Sequence, residues 1–245
     1  MQQSHYEQIS ILMPAYNEGR HIYRNIKETE KAAKQFASDY EIVVVDDGSR
    51  DNTLSEMERA AEESHNLKIF SYPENRGKGW ALRRAYQICS APYVLFLDSD
   101  LDIHPRQFST LFQVQSECNA DVVIGSKHHP ESSLNYPLLR RVISSSYFFL
   151  VRMLFGLPLR DTQTGIKLFR REVLEKVLPR ILVKKYAFDL EILVNAYQQG
   201  FKVVEAPVVV DFKGRFGRIG IGSIWNILND TMAIYYRKRI TGYYD

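Results

Sequence analysis

The β-branched run Ile42-Val43-Val44-Val45 constrains the fold of this chain more than any other feature. Side chains along a strand point alternately to opposite faces, so a continuous apolar run must be covered on both faces. Such a strand is typical of a mostly parallel sheet with helices on both sides. The run ends at Asp46 and Asp47, which predicts a polar site beyond its carboxyl end.

Strands and amphipathic helices alternate through the first half of the chain, which predicts an α/β fold with three layers. Strands are predicted at 9–13, 41–45, 67–72, 93–97 and 121–124, and helices at 18–36, 52–64, 79–88 and 108–117. The second half is less regular, with predicted helices at 137–157, 171–178, 187–199 and 221–239 and strands at 164–170 and 202–210. Because no linker or repeat interrupts this order, we predict a single domain over residues 1–245.

Composition excludes several classes of protein. A net charge of +3 does not favour nucleic-acid binding. The two cysteines, Cys89 and Cys118, lack metal-ligand spacing and are predicted to be small buried hydrophobes in a reducing cytoplasm. The first residues do not resemble a signal peptide, and no stretch reaches the ~18 apolar residues of a membrane span. We therefore expect a soluble or peripheral protein.

Acidic residues crowd the end of the strand predicted at 93–97, where Asp98, Asp100 and Asp102 follow one another closely. Like charges a few ångström apart repel, and a hard divalent cation removes that repulsion. Carboxylates, phosphate oxygens and water are ligands that Mg²⁺ and Mn²⁺ prefer. These residues predict a metal site for Mg²⁺ or Mn²⁺. The alternative is a solvated turn that caps the helix after Pro105.

Two more polar clusters, Tyr16-Asn17-Glu18 and Asp46-Asp47, end strands of the same predicted sheet. An Asp in this position can accept from a nucleobase or a ribose hydroxyl, while Ser49 and Asp51 are expected to be structural.

The segment Asn75-Arg76-Gly77-Lys78-Gly79 is rich in glycine and basic residues, and either Lys78 reaches a diphosphate or the segment is a structural turn. Neither P-loop nor G-x-G-x-x-G spacing is present, which argues against an NTPase or a dinucleotide oxidoreductase.

Taken together, these motifs resemble family 2 glycosyltransferases of GT-A fold. With Gly125-Ser126-Lys127, the segment Arg160 to Phe169 and the segment Ala187 to Glu191, the resemblance narrows to the dolichyl- and polyprenyl-phosphate glycosyltransferases. It implies a nucleotide-binding half at 1–125 and, at 126–245, a largely helical C-terminal extension that binds the acceptor. It also implies a UDP- or GDP-sugar donor. The nucleotide-sugar site would comprise Pro14, Tyr16, Glu18, Val45, Asp47, Lys78, Asp98, Ser99, Asp100 and Lys127.

The resemblance also implies the reaction. A hexose, glucose or mannose, would pass with inversion from the nucleotide sugar to a polyprenyl phosphate. Asp98 and Asp100 would hold the metal with Asp102 as a third ligand, and Asp189 matches the base of relatives that use hydroxyl acceptors. A soluble enzyme with a saccharide or cell-wall hydroxyl acceptor, in which Asp189 is the base, remains the alternative, and a binding module without catalysis is a third reading.

Cations in the second half are candidates to hold an acceptor phosphate. The candidates are Arg140, Arg141, Lys167, Arg170, Lys213, Arg215 and Arg218. Of these, Arg140 and Arg215 are the preferred predictions. Aromatic and basic residues in the helices predicted at 137–157 and 221–239 favour peripheral attachment to the inner face of a membrane.

Overall fold

The computed structural model describes residues 6–135, 138–185, 187–211 and 221–244. Its strands are β1 (Tyr6–Ala15), β2 (Ala37–Asp46), β3 (Leu67–Ser71), β4 (Tyr93–Leu97), β5 (Val122–Ser126), β6 (Ser133–Asn135), β7 (Ile166–Arg170), β8 (Val203–Pro207) and β9 (Val209–Asp211). Its helices are α1 (Ile22–Phe36), α2 (Thr53–Glu62), α3 (Lys78–Ile88), α4 (Phe108–Cys118), α5 (Leu138–Phe155), α6 (Arg171–Val177), α7 (Phe188–Gln198) and α8 (Ile221–Arg239).

Seven of these strands form one sheet in the order β3-β2-β1-β4-β7-β5-β8. All pairings in it are parallel except those of β7, which runs antiparallel to both β4 and β5. Leu97 at the end of β4 lies opposite Ile166 at the start of β7. The loop before β7 therefore lies at the carboxyl end of β4, where the acidic residues begin. The predicted mostly parallel α/β sheet is confirmed, and β7 draws the second half of the chain into it.

The core has two layers, one on each face of the sheet. Val43 and Val45 of β2 are fully buried in one layer, and Ile42 and Val44 are fully buried in the other. Each such side chain contributes roughly 1.5–3 kcal/mol when it leaves water. The β-branched run therefore lies where both its faces are covered, as its pattern predicts.

Helix α1 begins at Ile22, four residues later than predicted. The preceding turn contains Asn17 at φ 55°, which a helix excludes, and the turn is fastened to the loop after β2. The amide of Asn17 donates to Ser49 Oγ at 2.9 Å, and the amide of Glu18 donates to Thr53 Oγ1 at 2.8 Å. The start of α1 is therefore set by hydrogen bonds to residues more than 30 positions away, which the spacing of apolar residues cannot predict.

The strand predicted at 202–210 is two strands in two sheets. Val208 separates β8 from β9, because its amide donates to Ser132 Oγ at 2.9 Å and its carbonyl accepts from the Ser133 amide at 3.1 Å. Strand β9 pairs with β6, which has three residues and was not predicted. The amide of Asp211 then donates to the carbonyl of Asp102 at 3.0 Å. This small sheet therefore brings the chain at residue 211 against the acidic loop that follows β4.

Candidate active site

Asp47 organises the loop that precedes α3. Its carboxylate accepts from Tyr72 Oη at 2.6 Å, from Asn75 Nδ2 at 3.0 Å, and from the amides of Arg76 and Gly77 at 2.8 and 2.9 Å. These four donors occupy the lone-pair sites of a carboxylate. A nucleotide contact by Asp47 would require exchange of one of them.

The other predicted nucleotide contacts differ in exposure. Tyr16 is 43% exposed at the strand ends, and Pro14 and Glu18 are partly exposed beside it. The side chain of Val45 is fully buried in the core, so a nucleotide contact by Val45 must use its backbone. Ser99 is also buried, and its carbonyl accepts from Asn25 Nδ2 at 2.7 Å. Asn25, a buried polar side chain of α1, thus supports the acidic loop and was missed from sequence.

Two glycines bring Lys78 to the start of α3. Gly77 has φ 96°, a left-handed conformation that favours glycine. Gly79 lies under the ring of Phe188, where a Cβ atom would approach the ring to 2.5 Å. The two glycines allow the first turn of α3 to pack directly on the start of α7.

Lys78 lies between two carboxylates. Its Nζ is 2.8 Å from Asp98 Oδ1 and 3.2 Å from Asp189 Oδ2. Burial opposes the charge of Lys78, but Asp189 and Asp98 outweigh it and raise the pKa, so Lys78 is an ammonium ion. The sequence predicted a diphosphate contact for Lys78; the structure shows that Lys78 also links the acidic loop to Asp189.

Asp189 is buried at the start of α7 and is held by a second lysine. Lys167 Nζ lies 2.7 Å from Asp189 Oδ1, and the side chain of Lys167 is 1% exposed. Burial works against ionisation of Asp189, yet Lys167 and then Lys78 hold its pKa below the ordinary value. Asp189 is therefore a carboxylate with a cation on each oxygen.

The acidic loop after β4 concentrates negative charge. Burial, Asp98 and Asp102, with a smaller contribution from Glu18, raise the pKa of Asp100 to about 7. Leu101 lies at φ 52°, an uncommon conformation for a non-glycine residue, and its side chain is buried. This conformation turns the loop, and the Leu101 amide donates to the Asp98 carbonyl at 3.3 Å.

The donor set of this loop fits a hard dication held by one or two carboxylates. Within the described ranges, no group of three acidic, histidine or cysteine side chains is arranged to hold a metal ion. The triad of Asp98, Asp100 and Asp102 stays a prediction; in this structure Asp98 Oδ1 pairs with Lys78, and Asp100 Oδ1 accepts from the Asp102 amide at 3.1 Å. Asp98 and Asp100 remain candidate ligands, and Mg²⁺ and Mn²⁺ accept phosphate and water oxygens beside carboxylates.

Gly165 seats the carboxylate of Asp98. Its carbonyl accepts from the Asp98 amide at 3.1 Å, and a Cβ atom on Gly165 would approach Asp98 Oδ2 to 2.2 Å. We expect Gly165→Ala to displace Asp98 and to reduce catalysis about 100-fold, as a misplacement of about 1 Å does. Steady-state kinetics with the substrates proposed below measure this effect. Gly200→Ala strains a left-handed backbone (φ 80°) but meets no neighbouring atom, so it controls for a general loss of stability on glycine replacement, and equal losses of activity in both variants would contradict the assignment.

Lys127 follows β5 and pairs with Asp161 of the loop before β7. Its Nζ is 3.6 Å from Asp161 Oδ2, and its amide donates to the same oxygen at 3.1 Å. Burial opposes the charge of Asp161, but Lys127 and hydrogen bonds to the carboxylate lower its pKa. If Lys127 contacts the nucleotide sugar as predicted, the nucleotide sugar must compete with Asp161 for the ammonium group of Lys127. Arg160, His128 and Gln163 line a small cavity next to this pair.

The predicted acceptor cations are placed unevenly. The side chains of Arg140 and Arg141 fall outside the described part of the chain, as do Lys213, Arg215 and Arg218 entirely. Lys167 was wrongly included, because it is buried against Asp189. Arg170 was also wrong, because it lies opposite Tyr93, at the end of β4 away from the acidic loop, and binds Asn119. The segment that contains Arg215 follows Asp211, which is bonded to the acidic loop.

A second buried carboxylate on α7, Glu191, joins four segments of the chain. Its Oε2 accepts from the amides of Leu182 and Val183 at 3.0 and 2.7 Å. Its Oε1 accepts from Arg237 Nη2 at 2.8 Å and from the hydroxyl of Tyr244. The sequence indicated only an acidic residue near a helix start; the link to the C-terminal residues depends on a separation of 53 positions, between Glu191 and Tyr244.

Comparison with known sequences gives a family and several relatives. The glycosyl transferase family 2 model matches residues 10–178. Glycosyltransferase AglD of Haloferax volcanii is 31% identical, over 96% of this chain and 38% of its own length. The dolichyl-phosphate beta-glucosyltransferases of Saccharomyces cerevisiae and Trichomonas vaginalis (ALG5A) are 30% and 33% identical. Each match covers 82% of this chain and 66% and 64% of the respective relative, so the chain spans less than two thirds of these proteins.

Solved structures agree on the fold. Glucosyl-3-phosphoglycerate synthase of Mycobacterium tuberculosis in complex with Mn²⁺, uridine-diphosphate-glucose and phosphoglyceric acid superposes with a TM-score of 0.70. It is 18% identical and covers 94% of this chain and 79% of its own. A second crystal structure of the same enzyme also gives a TM-score of 0.70 at 19% identity and covers 94% of this chain and 80% of its own. The predicted GT-A fold is confirmed.

Proposed function

Because the chain belongs to glycosyl transferase family 2, we propose that it transfers a hexose from a nucleoside-diphosphate sugar to a polyprenyl or dolichyl phosphate. The observation that carries the proposal is Asp189, a carboxylate clamped by Lys167 and Lys78, whose pKa lies below its ordinary value. An efficient general base has a pKa near the working pH, so Asp189 is a weak base. An acceptor that is already an anion needs no base.

The relatives support the same acceptor. Those of yeast and Trichomonas are named dolichyl-phosphate beta-glucosyltransferases, which favours glucose over mannose and a lipid phosphate over a hydroxyl. A UDP-sugar is favoured over a GDP-sugar, since the superposed synthase is described with uridine-diphosphate-glucose. The alternative is a soluble enzyme with a saccharide hydroxyl acceptor and Asp189 as its base.

The residues of the site have distinct parts in the proposed reaction. Asp98 and Asp100 would hold Mg²⁺ or Mn²⁺, which supplies electrostatic stabilisation of charge on the diphosphate leaving group. Lys78, already an ammonium ion at this edge, would add a second positive charge near the diphosphate. The acceptor oxygen attacks the anomeric carbon as the bond to the diphosphate breaks, which inverts the configuration of that carbon.

A donor panel tests the proposal directly. The protein is incubated with Mn²⁺, a polyprenyl phosphate and radiolabelled UDP-glucose, UDP-galactose, GDP-mannose or UDP-N-acetylglucosamine, and the organic phase is counted. We expect label in the lipid from UDP-glucose and a signal that disappears when a chelator is added. If no donor labels the lipid, the proposed function is wrong.

Asp189→Asn separates the two acceptor classes. With a phosphate acceptor we expect the turnover number to fall less than about tenfold, because no proton needs to leave the acceptor. With a hydroxyl acceptor, loss of the base lowers turnover by about 10²–10⁴-fold. Turnover is measured at saturating donor, and thermal unfolding by circular dichroism confirms that the variant is folded. A loss beyond 100-fold with polyprenyl phosphate would favour the hydroxyl reading.

We also propose that α5 and α8 lie on the cytoplasmic face of a membrane. Phe149 and Met153 of α5 are 67% and 66% exposed, and Trp225 of α8 is 64% exposed. Exposed apolar side chains, with a helix α8 that ends in Arg237, Lys238 and Arg239, suit the boundary of an anionic bilayer. In the described ranges, every helix is too short or too polar to span a bilayer.

Vesicle flotation tests this membrane contact. We expect the protein to float with vesicles of phosphatidylcholine and phosphatidylserine. The double variant Phe149→Ser, Met153→Ser removes two side chains worth roughly 1.5–3 kcal/mol each when buried, so its partition should fall at least about tenfold. Val209→Ser, at an exposed apolar residue of β9, is the matched control. Equal flotation of the double variant and the wild type would reject α5 as a contact.

A further inference from the structure

The amino group of Lys167 is enclosed by protein: burial lowers its pKa below the usual range, while the Asp189 carboxylate favours its charged form. Lys167 lies on β7 between β4 and β5, where its neighbours Ile166 and Leu168 are buried in the core. Its Nζ is 2.7 Å from Asp189 Oδ1 and donates to the carbonyl of Thr164. A buried charge is retained only when it is paired and hydrogen-bonded, so this pair is a fixed part of the fold.

Lys78 differs from Lys167 in exposure and in partners. The side chain of Lys78 is 29% exposed and shares its charge between Asp98 and Asp189. It can therefore move toward a bound diphosphate. Lys167 is 1% exposed and faces one carboxylate, so it can act on a substrate only through Asp189.

The two substrates of the proposed reaction are both anions. A carboxylate without a counter-ion at the reaction centre would repel the diphosphate of the donor and the phosphate of the acceptor, most strongly where water is excluded. Once Lys78 turns to the donor, Lys167 is the lysine that still neutralises Asp189. The pair of Lys167 and Asp189 thus leaves no unpaired carboxylate at the reaction centre when the two anionic substrates bind.

We propose that Lys167 is a positioning residue that fixes Asp189 and cancels its charge, so that a phosphate acceptor can approach the reaction centre. The inference rests on the proposed function and extends it to acceptor selection. Lys167 touches no substrate. It acts through Asp189, and its effect depends on the charge of that residue.

A charge-compensation experiment tests this role. The variant Lys167→Met removes the cation and keeps an unbranched side chain. We expect its KM for polyprenyl phosphate to rise at least about tenfold, while kcat changes less than about threefold. The double variant Lys167→Met, Asp189→Asn carries neither charge, and its KM should return to that of Asp189→Asn alone. The double variant should also unfold at a higher temperature than Lys167→Met, because no carboxylate is left without its buried partner.

Lys68→Met is the matched control. Lys68 is a β-sheet lysine whose Nζ lies 2.6 Å from Glu41 Oε2, at the edge of the sheet away from the acidic loop. We expect this variant to keep the wild-type KM for both substrates. A similar rise in KM for Lys68→Met would mean that any lost ion pair has this effect, and it would overturn the inference.

Two further outcomes separate this inference from the proposed function. If Lys167→Met raises KM equally in the presence and absence of the Asp189 charge, Lys167 supports only the fold and the inference is wrong. If the wild type transfers sugar to a hydroxyl and not to polyprenyl phosphate, the proposed function is wrong. In that case the KM for the anionic nucleotide sugar still measures the compensation between Lys167 and Asp189, and a return of that KM in the double variant supports the pair.

Discussion

Asparagine in place of Asp100 is expected to reduce sugar transfer about a thousandfold and, at the same time, to stabilise the metal-free protein. The catalytic loss follows from a missing carboxylate ligand, since a bound dication supplies several kcal/mol of stabilisation to the diphosphate leaving group. A loss of about 4 kcal/mol corresponds to about a thousandfold in rate. Donor turnover with Mn²⁺ present measures this part of the prediction.

The gain in stability follows from the crowding of charge. Burial and the neighbouring Asp98 and Asp102 raise the pKa of Asp100 from 3.8 to about 7. A group whose pKa is raised by folding adds stability that is complete below its unfolded pKa and is lost as pH rises through its folded pKa. Asp100 therefore lowers the stability of the metal-free protein above about pH 7 relative to pH 4. Allowing for solvent screening, Asp100→Asn should raise the free energy of unfolding by about 2 kcal/mol at pH 8.

Urea unfolding at pH 5.5 and pH 8 in the presence of a chelator measures this gain. The wild type should lose stability between the two pH values, and Asp100→Asn should lose less. Asp39→Asn, at an exposed carboxylate that accepts from Gln8, is the control for generic removal of charge. If Asp100→Asn is inactive and also less stable than the wild type at pH 8, the residue is structural and the metal assignment is wrong.

Glu191→Ala is expected to lower the free energy of unfolding by about 3–5 kcal/mol, because it breaks a buried ion pair and leaves Arg237 without its carboxylate. The change also removes the acceptor for two backbone amides, those of Leu182 and Val183. An unsatisfied buried donor adds to the cost of the substitution. The loss should therefore exceed that of an ordinary surface ion pair severalfold.

Urea unfolding and limited proteolysis measure the effect of Glu191→Ala. We expect earlier cleavage at the C-terminal end, because the Tyr244 hydroxyl loses its bond to Glu191. The bonds from Arg180 and Gln199 to the Tyr244 carbonyl remain and limit this effect. Glu175→Ala is the matched control, since it removes an exposed helical glutamate paired with Arg171 at 3.3 Å. A loss below about 1 kcal/mol for Glu191→Ala would contradict this account of the cluster.

The parts of the fold that local patterns determine were predicted well. The run at 42–45 lies in a buried strand, and the helix predicted at 221–239 is α8 at the same bounds. Errors occur where distant segments decide the structure. The start of α1 depends on Ser49 and Thr53, and the break at Val208 depends on Ser132 and Ser133.

The candidate residues of the site could be named from sequence, but not the contacts among them. The pattern at the end of an apolar strand predicted Asp98 and Asp100, and the family resemblance predicted Asp189. Neither could show that Lys78 lies between Asp98 and Asp189 or that Lys167 is the buried partner of Asp189. A lysine within the apolar run Ile166-Lys167-Leu168-Phe169 was the available signal, since a lysine flanked by buried positions requires an internal anion.

The reversed strand β7 has a consequence for the order in which the protein forms during synthesis. Until residues 166–170 have left the ribosome, β4 has no partner on one side, and Asp98 lacks the Gly165 carbonyl that its amide binds. Closing that gap of about 70 residues is a non-local step, and non-local pairing is slow. A nascent chain that ends near residue 126 would expose an unpaired strand edge next to the acidic loop. Chaperone binding and aggregation of this translation intermediate are expected at that edge.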